Sequence, residues 1–444
     1  MLAGSRIEGH YPARMASGGG SWKGYTLVAA TVVVTVLAAT GVWNPFPQLW
    51  SWINTSGPIA PGARWQQQLG GSPQSIAIAG DSVIVEYRTS VEAYGLTAAV
   101  KLWSSDADWA SIAGKGANAV VVTGRLLTKG YQVLDPATGT VRRSDTGATA
   151  VWTYQDAIVD LSCSDGDDCR LTAWDPRSGE QLWSVGTGSI GFVLDAANPD
   201  LPDTRRLSSN KVDDDVAGPP VLPGLLGLPH DGQIRVIDTA SGRLVQTVRP
   251  GRQQRVAVVG GRVLTITGTA KDGTCYYDVV AGNPPGGQVV WRRDGLNLRT
   301  ADNGSACDQE RDPAGGYNVV LGVDPYGREV LINGYDGRDL WYGDKESTVL
   351  TLNDAYAVIR KGDQVRGYSF AKDKAVWRLD GRGEVGAALT PYAVIVVSKN
   401  RVTALTPSNG AVRADVRTDA KVFAVGPDGM IAASGRDMAY LPFS

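Results

Sequence analysis

A nine-residue unit, Asp175-Pro-Arg-Ser-Gly179-Glu-Gln-Leu-Trp183, returns along the chain with its spacing kept: Asp, Gly four residues later, Trp eight residues later. Asn283, Gly287 and Trp291 repeat it, as do Asn333, Gly337 and Trp341. Asp135, Gly139 and Arg143 keep the spacing with the Trp replaced, and so do Asp238, Gly242 and Gln246. Gly95, Ala99 and Trp103, then Ser369, Asp373 and Trp377, then Thr406, Gly410 and Ala414 are worn copies, and Trp65 stands alone at the final position. Repeats of fixed period dictate architecture before any local reading does.

The chemistry of the unit is that of a turn. Asp or Asn bonds its own backbone, and Gly supplies a positive φ. The Trp then falls in a short following strand, where its ring can bury against a neighbouring unit. Two β-branched runs precede each turn, for example Ala119-Val-Val-Val122 with Tyr131-Gln-Val-Leu134. Each unit therefore reads as about four strands. The final positions 65, 103, 143, 183, 246, 291, 341, 377 and 414 are 38, 40, 40, 63, 45, 50, 36 and 37 residues apart. Four strands at a period near forty describe a propeller blade. A parallel β-helix has a shorter rung, and an α-solenoid needs a helical periodicity that is missing.

On these residues the chain resembles the PQQ-like repeat propellers. That family includes the outer-membrane assembly protein BamB and the quinoprotein alcohol dehydrogenases. The likeness rests on Val133-Leu-Asp-Pro-Ala-Thr-Gly139 and on Ala173-Trp-Asp-Pro-Arg-Ser-Gly-Glu-Gln-Leu-Trp183, and it covers residues 65–440. It implies that the repeat Trp side chains dock between adjacent blades and are structural. The expected fold is all-β: one propeller of four-stranded blades, eight favoured by the family and nine by the literal count, within a range of seven to nine. Residues 421–441 supply three strands without a fourth, and residues 63–69 a fourth without the first three. Pairing them closes the ring and removes two exposed edges.

Ahead of the repeats, residues 25–43 run for 19 positions without a charge. About 20 apolar residues cross a bilayer as a helix. Arg6, Arg14 and Lys23 precede the run, and no Lys or Arg follows before Arg64. The positive-inside rule then places residues 1–24 in the cytoplasm and the rest outside. A cleaved signal peptide is the rival, but it has a shorter apolar region and a small-residue cleavage site. The expected organisation is a tail at 1–24, a signal anchor at 25–43, a Pro/Ser/Gly linker at 44–62 and the propeller at 63–444. The long step carries an insertion at 187–223, with Asp195, Asp200, Asp203, Arg205, Arg206 and 213–215 all charged. It reads as a solvated loop or a contact surface.

Composition bears mainly on what the chain does not do. Lys and Arg total 43 against 45 Asp and Glu, without the basic excess of a nucleic-acid protein. There are 2 His, so a His-rich metal site is excluded, and His230, in a turn before Asp231 and Gly232, reads as an ordinary loop residue. No P-loop, G-x-S-x-G, H-E-x-x-H, C-x-x-C-H or adjacent Cys pair occurs. No catalytic residue, cofactor or metal site is expected. The loop Ser164-Asp-Gly-Asp-Asp168 lacks the full calcium-loop spacing. The four cysteines, Cys163, Cys169, Cys275 and Cys307, all follow the apolar run. Three connectivities exist. A hairpin turn favours 163–169, which leaves 275–307. The favoring of Arg over Lys, with abundant Ala, Gly and Val, resembles actinobacterial proteins, where BamB's outer-membrane role has no counterpart. The expected function is a membrane-anchored scaffold that meets envelope proteins through its rim loops, in an envelope or secretion-related complex. The alternatives are a sensor propeller for a sugar, polymer or metal ion, and a quinoprotein-type oxidoreductase.

Overall fold

The structure is a computed structural model that describes residues 59–164, 168–188, 218–251, 254–271, 274–298, 318–381 and 383–444. The tail, the apolar run and most of the linker lie outside the described residues. Among the described residues, no helix is long and apolar enough to cross a membrane. Residues 58–444 form one compact unit.

Among the described residues, that unit is a propeller of nine sheets, eight of them four-stranded. Blades 1 to 8 span residues 75–106, 109–145, 148–186, 225–248, 254–294, 297–342, 347–380 and 385–417, each with strands in hairpin order. The count is nine, as the Trp intervals give directly, rather than the eight favoured from the family. The worn copies are complete blades because Ala99 and Asp373 take the left-handed turn position themselves, at φ 53° and 50°. Blade 4 shows three strands among the described residues. The stretch read as an insertion, 187–223, lies mostly outside the described residues.

Blade 9 combines Lys421–Val425, Gly429–Ser434 and Asp437–Pro442 with Trp65–Gln68, in the register Trp65 to Tyr440 and Gln68 to Asp437. The ring is thus closed by strands from the two ends of the repeat region. Ile59 and Ala60, ahead of position 63, are buried in the core between blades 8 and 9.

The continuous apolar runs follow from blades stacking face to face. Alternate side chains of a strand point to opposite faces of its sheet. Val121 enters the cluster shared by blades 1 and 2, while Val120 and Val122 enter the one shared by blades 2 and 3. A strand buried on both faces reads as an unbroken β-branched run. Nine clusters of this kind fill the nine interfaces, including the one that joins blade 9 to blade 1. The fourth strands lie at the perimeter and are mostly exposed, as in Lys101–Asp106 and Val412–Arg417.

Because successive strands alternate in direction, the turns fall on two faces. Turns between strands one and two and between three and four share one face, here the turn face. Hairpins between strands two and three, and the links between blades, share the hairpin face. The Asp-x-x-x-Gly turns close as the sequence chemistry requires. Asp175 Oδ1 accepts the backbone N–H groups of Arg177 at 3.0 Å and Ser178 at 2.7 Å, and Gly179 has φ 71°. The bond from Ser178 is the main cause holding the Asp175 carboxyl below its usual range.

Candidate functional site

The repeat Trp and Gly residues meet across blades rather than within a unit. Trp103 in blade 1 donates its indole N–H to Pro136 O in the blade 2 turn at 2.8 Å. A Cβ on Gly139 of that turn would lie 2.7 Å from the Trp103 ring. Trp291 bonds Gly334 O at 3.0 Å and leaves 2.6 Å for a Cβ on Gly337. Trp377 bonds Pro407 O at 3.1 Å and crowds Gly410. Trp65 bonds Leu96 O in blade 1 at 2.8 Å. Trp183 packs on Gly242 of blade 4, its indole N–H without a hydrogen-bond partner among the described residues. Trp341 is half-buried against the blade 6–7 core. These residues hold neighbouring blades together.

At position 143, where Arg replaces the Trp, a polar cluster stands instead. Arg143 lies over the Trp174 ring at 3.6 Å and donates to the Tyr131 hydroxyl. Its guanidinium is 3.4 Å from both Asp145 and Asp160. Asp160, 2% exposed, accepts the Tyr131 hydroxyl at 2.6 Å and the Trp174 indole N–H at 2.8 Å. Burial pushes the Asp160 carboxyl up, against the lowering effect of the Tyr131 bond and the Arg143 charge. Every polar group here is answered by another member, so the cluster is a blade-to-blade tie in place of a Trp. Sequence reading missed it, although an Asp inside Ile158-Val-Asp160-Leu and an Arg at a Trp position were both visible.

The raised carboxyl carries a pH dependence of known sign. An acid whose folded pKa exceeds its unfolded value near 3.9 stabilises the fold increasingly as pH falls between the two. Wild type is therefore expected to gain stability relative to Asp160→Asn as pH drops through that window. Urea midpoints of the two proteins at stepped pH measure it, and a wild type that loses ground would show the Arg143 attraction to dominate.

The exposed clusters lie on the rims. On the turn face, Arg262 of blade 5 stacks under Tyr335 of the blade 6 turn, 3.8 Å from guanidinium carbon to ring centre. It donates to Tyr335 O at 3.1 Å and to Asn283 Oδ1 at 2.8 Å. Tyr335 is 57% exposed, and Val289 and Val290 on the adjoining outer strand are exposed as well. On the hairpin face, Arg328 lies between the exposed rings of Tyr326 and Tyr342, and both Arg328 and Tyr342 bond Asp324. Burial pushes the Asp324 carboxyl up, but the hydrogen bonds from Tyr342 and Arg328 bring it down to about 2. Blade 2 carries the exposed tip Arg125-Leu-Leu-Thr-Lys129 on that same face.

Cys163 and Cys169 are paired across the blade 3 hairpin and bridged. Cys307, and with it the expected 275–307 pairing, lies outside the described residues, as does the centre of the 164–168 loop. His230 faces Asp231, Nε2 to Oδ2 3.1 Å. Among the described residues, no group of three His, Cys, Asp or Glu side chains is arranged to hold a metal ion.

No protein-family model matches the chain, and no curated protein matches it. Solved structures do. BamB from Moraxella catarrhalis is 18% identical over 80% of this chain and 98% of its own, with a TM-score of 0.34. The quinohemoprotein alcohol dehydrogenase from Comamonas testosteroni is 11% identical over 86% of this chain and 76% of its own, with a TM-score of 0.37. Sqt1 of Saccharomyces cerevisiae is 10% identical over 87% of this chain and 100% of its own, with a TM-score of 0.39. The fold is read from the strand pairing itself: among the described residues the chain is a nine-bladed, all-β propeller.

Proposed function

We propose that this chain is a membrane-tethered, extracytoplasmic propeller that binds protein partners of an envelope or secretion-related complex through its turn-face rim. The observation that carries the reading is the Tyr335 platform. Arg262 is nearly buried and bonded on several sides, so it holds an exposed aromatic ring in one place. The Trp291 bond to Gly334 O draws the outer strand bearing Val289 and Val290 against the turn bearing Tyr335. Exposed Tyr on a fixed Arg, flanked by aliphatic side chains, is the composition of a protein-binding hot spot. The Cys163–Cys169 bridge supports an oxidising compartment, and the apolar run at 25–43 supports a tether.

The test is purification of the full chain from detergent-solubilised native membranes. A partner at near-equal amount is expected with wild type. Tyr335→Ala combined with Val289→Asp should lower its recovery by about tenfold or more, with the urea midpoint unchanged. Undiminished recovery moves the interface elsewhere. Release of the chain by alkaline carbonate would remove the tether, and visible absorbance from a bound quinone would turn the reading toward an oxidoreductase.

A further inference from the structure

The blade 2 hairpin tip combines features that ordinary propeller turns do not need. Leu127 is 97% exposed and Leu126 is 66% exposed, side by side at the summit of a turn. Arg125 and Lys129 flank them and are exposed too. The two legs are clamped. Leu126 N–H donates to Asp108 Oδ2 at 3.1 Å, and Asp108 N–H donates to Gly124 O at 2.9 Å. Gly130 donates to Ala148 O at 2.8 Å and sits at φ 94°, where a Cβ would lie 2.3 Å from Asp145 O. Two leucines are thus held out into solvent on a fixed base, so little ordering entropy is lost when they are buried.

The described chain starts on this same face. Ile59 O accepts the Thr418 hydroxyl at 2.6 Å, and Thr418 N–H donates to Asn400 O in the blade 8 hairpin at 3.0 Å. Asn400 belongs to a second-to-third-strand turn, so residue 59 lies at the hairpin face, with the apolar run at 25–43 only a short linker away in sequence. Tyr326 and Tyr342, with Arg328 between them, stand on that face as well. Tyr rings and cations with apolar neighbours favour the headgroup layer of a bilayer.

We propose that Leu126 and Leu127 are a membrane-docking tip that enters the interfacial layer of an anionic bilayer, with Arg125 and Lys129 meeting the lipid phosphates. This inference rests on the tether proposed above. The tether brings the hairpin face within reach of the surface, and the tip then fixes how the propeller lies on it. The turn face, with Tyr335, is left open to partners.

The full chain is reconstituted into vesicles of phosphatidylglycerol and phosphatidylcholine, with a photoreactive diazirine side chain at position 127. A matched protein carries it at position 412 on the turn face, where Val412 is 56% exposed. Phospholipid adducts, read by mass spectrometry of the labelled peptide, are expected to be about tenfold more abundant at 127 than at 412. Arg125→Glu with Lys129→Glu should cut the adduct at 127 by about fivefold or more. Equal labelling at the two positions overturns the proposal. So does an adduct at 127 to a protein, whether a partner or a second copy, or the absence of any adduct in a chain that floats with the vesicles. A chain that does not float at all removes the tether itself, and the docking tip falls with it.

Discussion

Deleting residues 59–69 is expected to abolish the cooperative urea transition of the propeller, a loss beyond about 5 kcal/mol. The segment contributes the fourth strand of blade 9, and its bonds run to places far away in sequence. Arg64 N–H donates to Tyr440 O at 2.9 Å, Leu69 N–H to Arg436 O at 2.8 Å, and the Arg436 guanidinium returns two bonds to Leu69 O at 3.1 and 2.8 Å. Trp65 reaches on to Leu96 of blade 1 and stacks against Tyr440, ring centres 6.0 Å apart. Without it, the strand Asp437–Pro442 becomes an open edge, prone to pairing with other chains. Deleting residues 44–56 is expected to shift the midpoint by no more than about 0.5 kcal/mol. Equal stability of the two truncations would sink the closure argument, and light scattering at the transition reports the exposed edge separately.

Trp291→Ala should cost about 3–5 kcal/mol, since it empties a site between blades 5 and 6 and strands Gly334 O. Gly337→Val should cost about 3 kcal/mol or more, because it combines φ 74° with a Cβ 2.6 Å from the Trp291 ring. The two positions are in contact, so the pair should depart from additivity by about 1 kcal/mol or more. With the ring gone, the valine has somewhere to go. A strictly additive double variant would show that the cross-blade seat does not exist.

The parts of this fold that are legible in the sequence are those written within one unit. Asp135 with Gly139 makes its turn locally, and the Val120–Val122 run is apolar throughout because both faces of its sheet are covered. What runs between units is not legible. Trp291 and Gly337 belong to different copies, and nothing at either position says that they touch. The same holds for the Arg143 cluster, whose members come from four strands in two blades. Arg262 and Tyr335 are 73 residues apart and carry no motif. The blade count was readable from the Trp intervals. The eight favoured instead came from the family's usual number, since the Ala99 and Asp373 units, which take the left-handed turn position without Gly, were already in the literal count.

Closure of the ring also sets an order of assembly. Strand Trp65–Gln68 is made early, and its partner Asp437–Pro442 follows more than 360 residues later. At ~5–20 residues per second, synthesis leaves the first strand waiting for roughly 20–70 s. The waiting strand is Trp-Gln-Gln-Gln, polar at three of four positions, whereas the late partner carries Met438, Ala439, Tyr440 and Leu441, all buried at completion. The adhesive half of the clasp therefore appears last, when eight blades already stand ready to receive it, and the half that must wait offers little for a stray chain to hold.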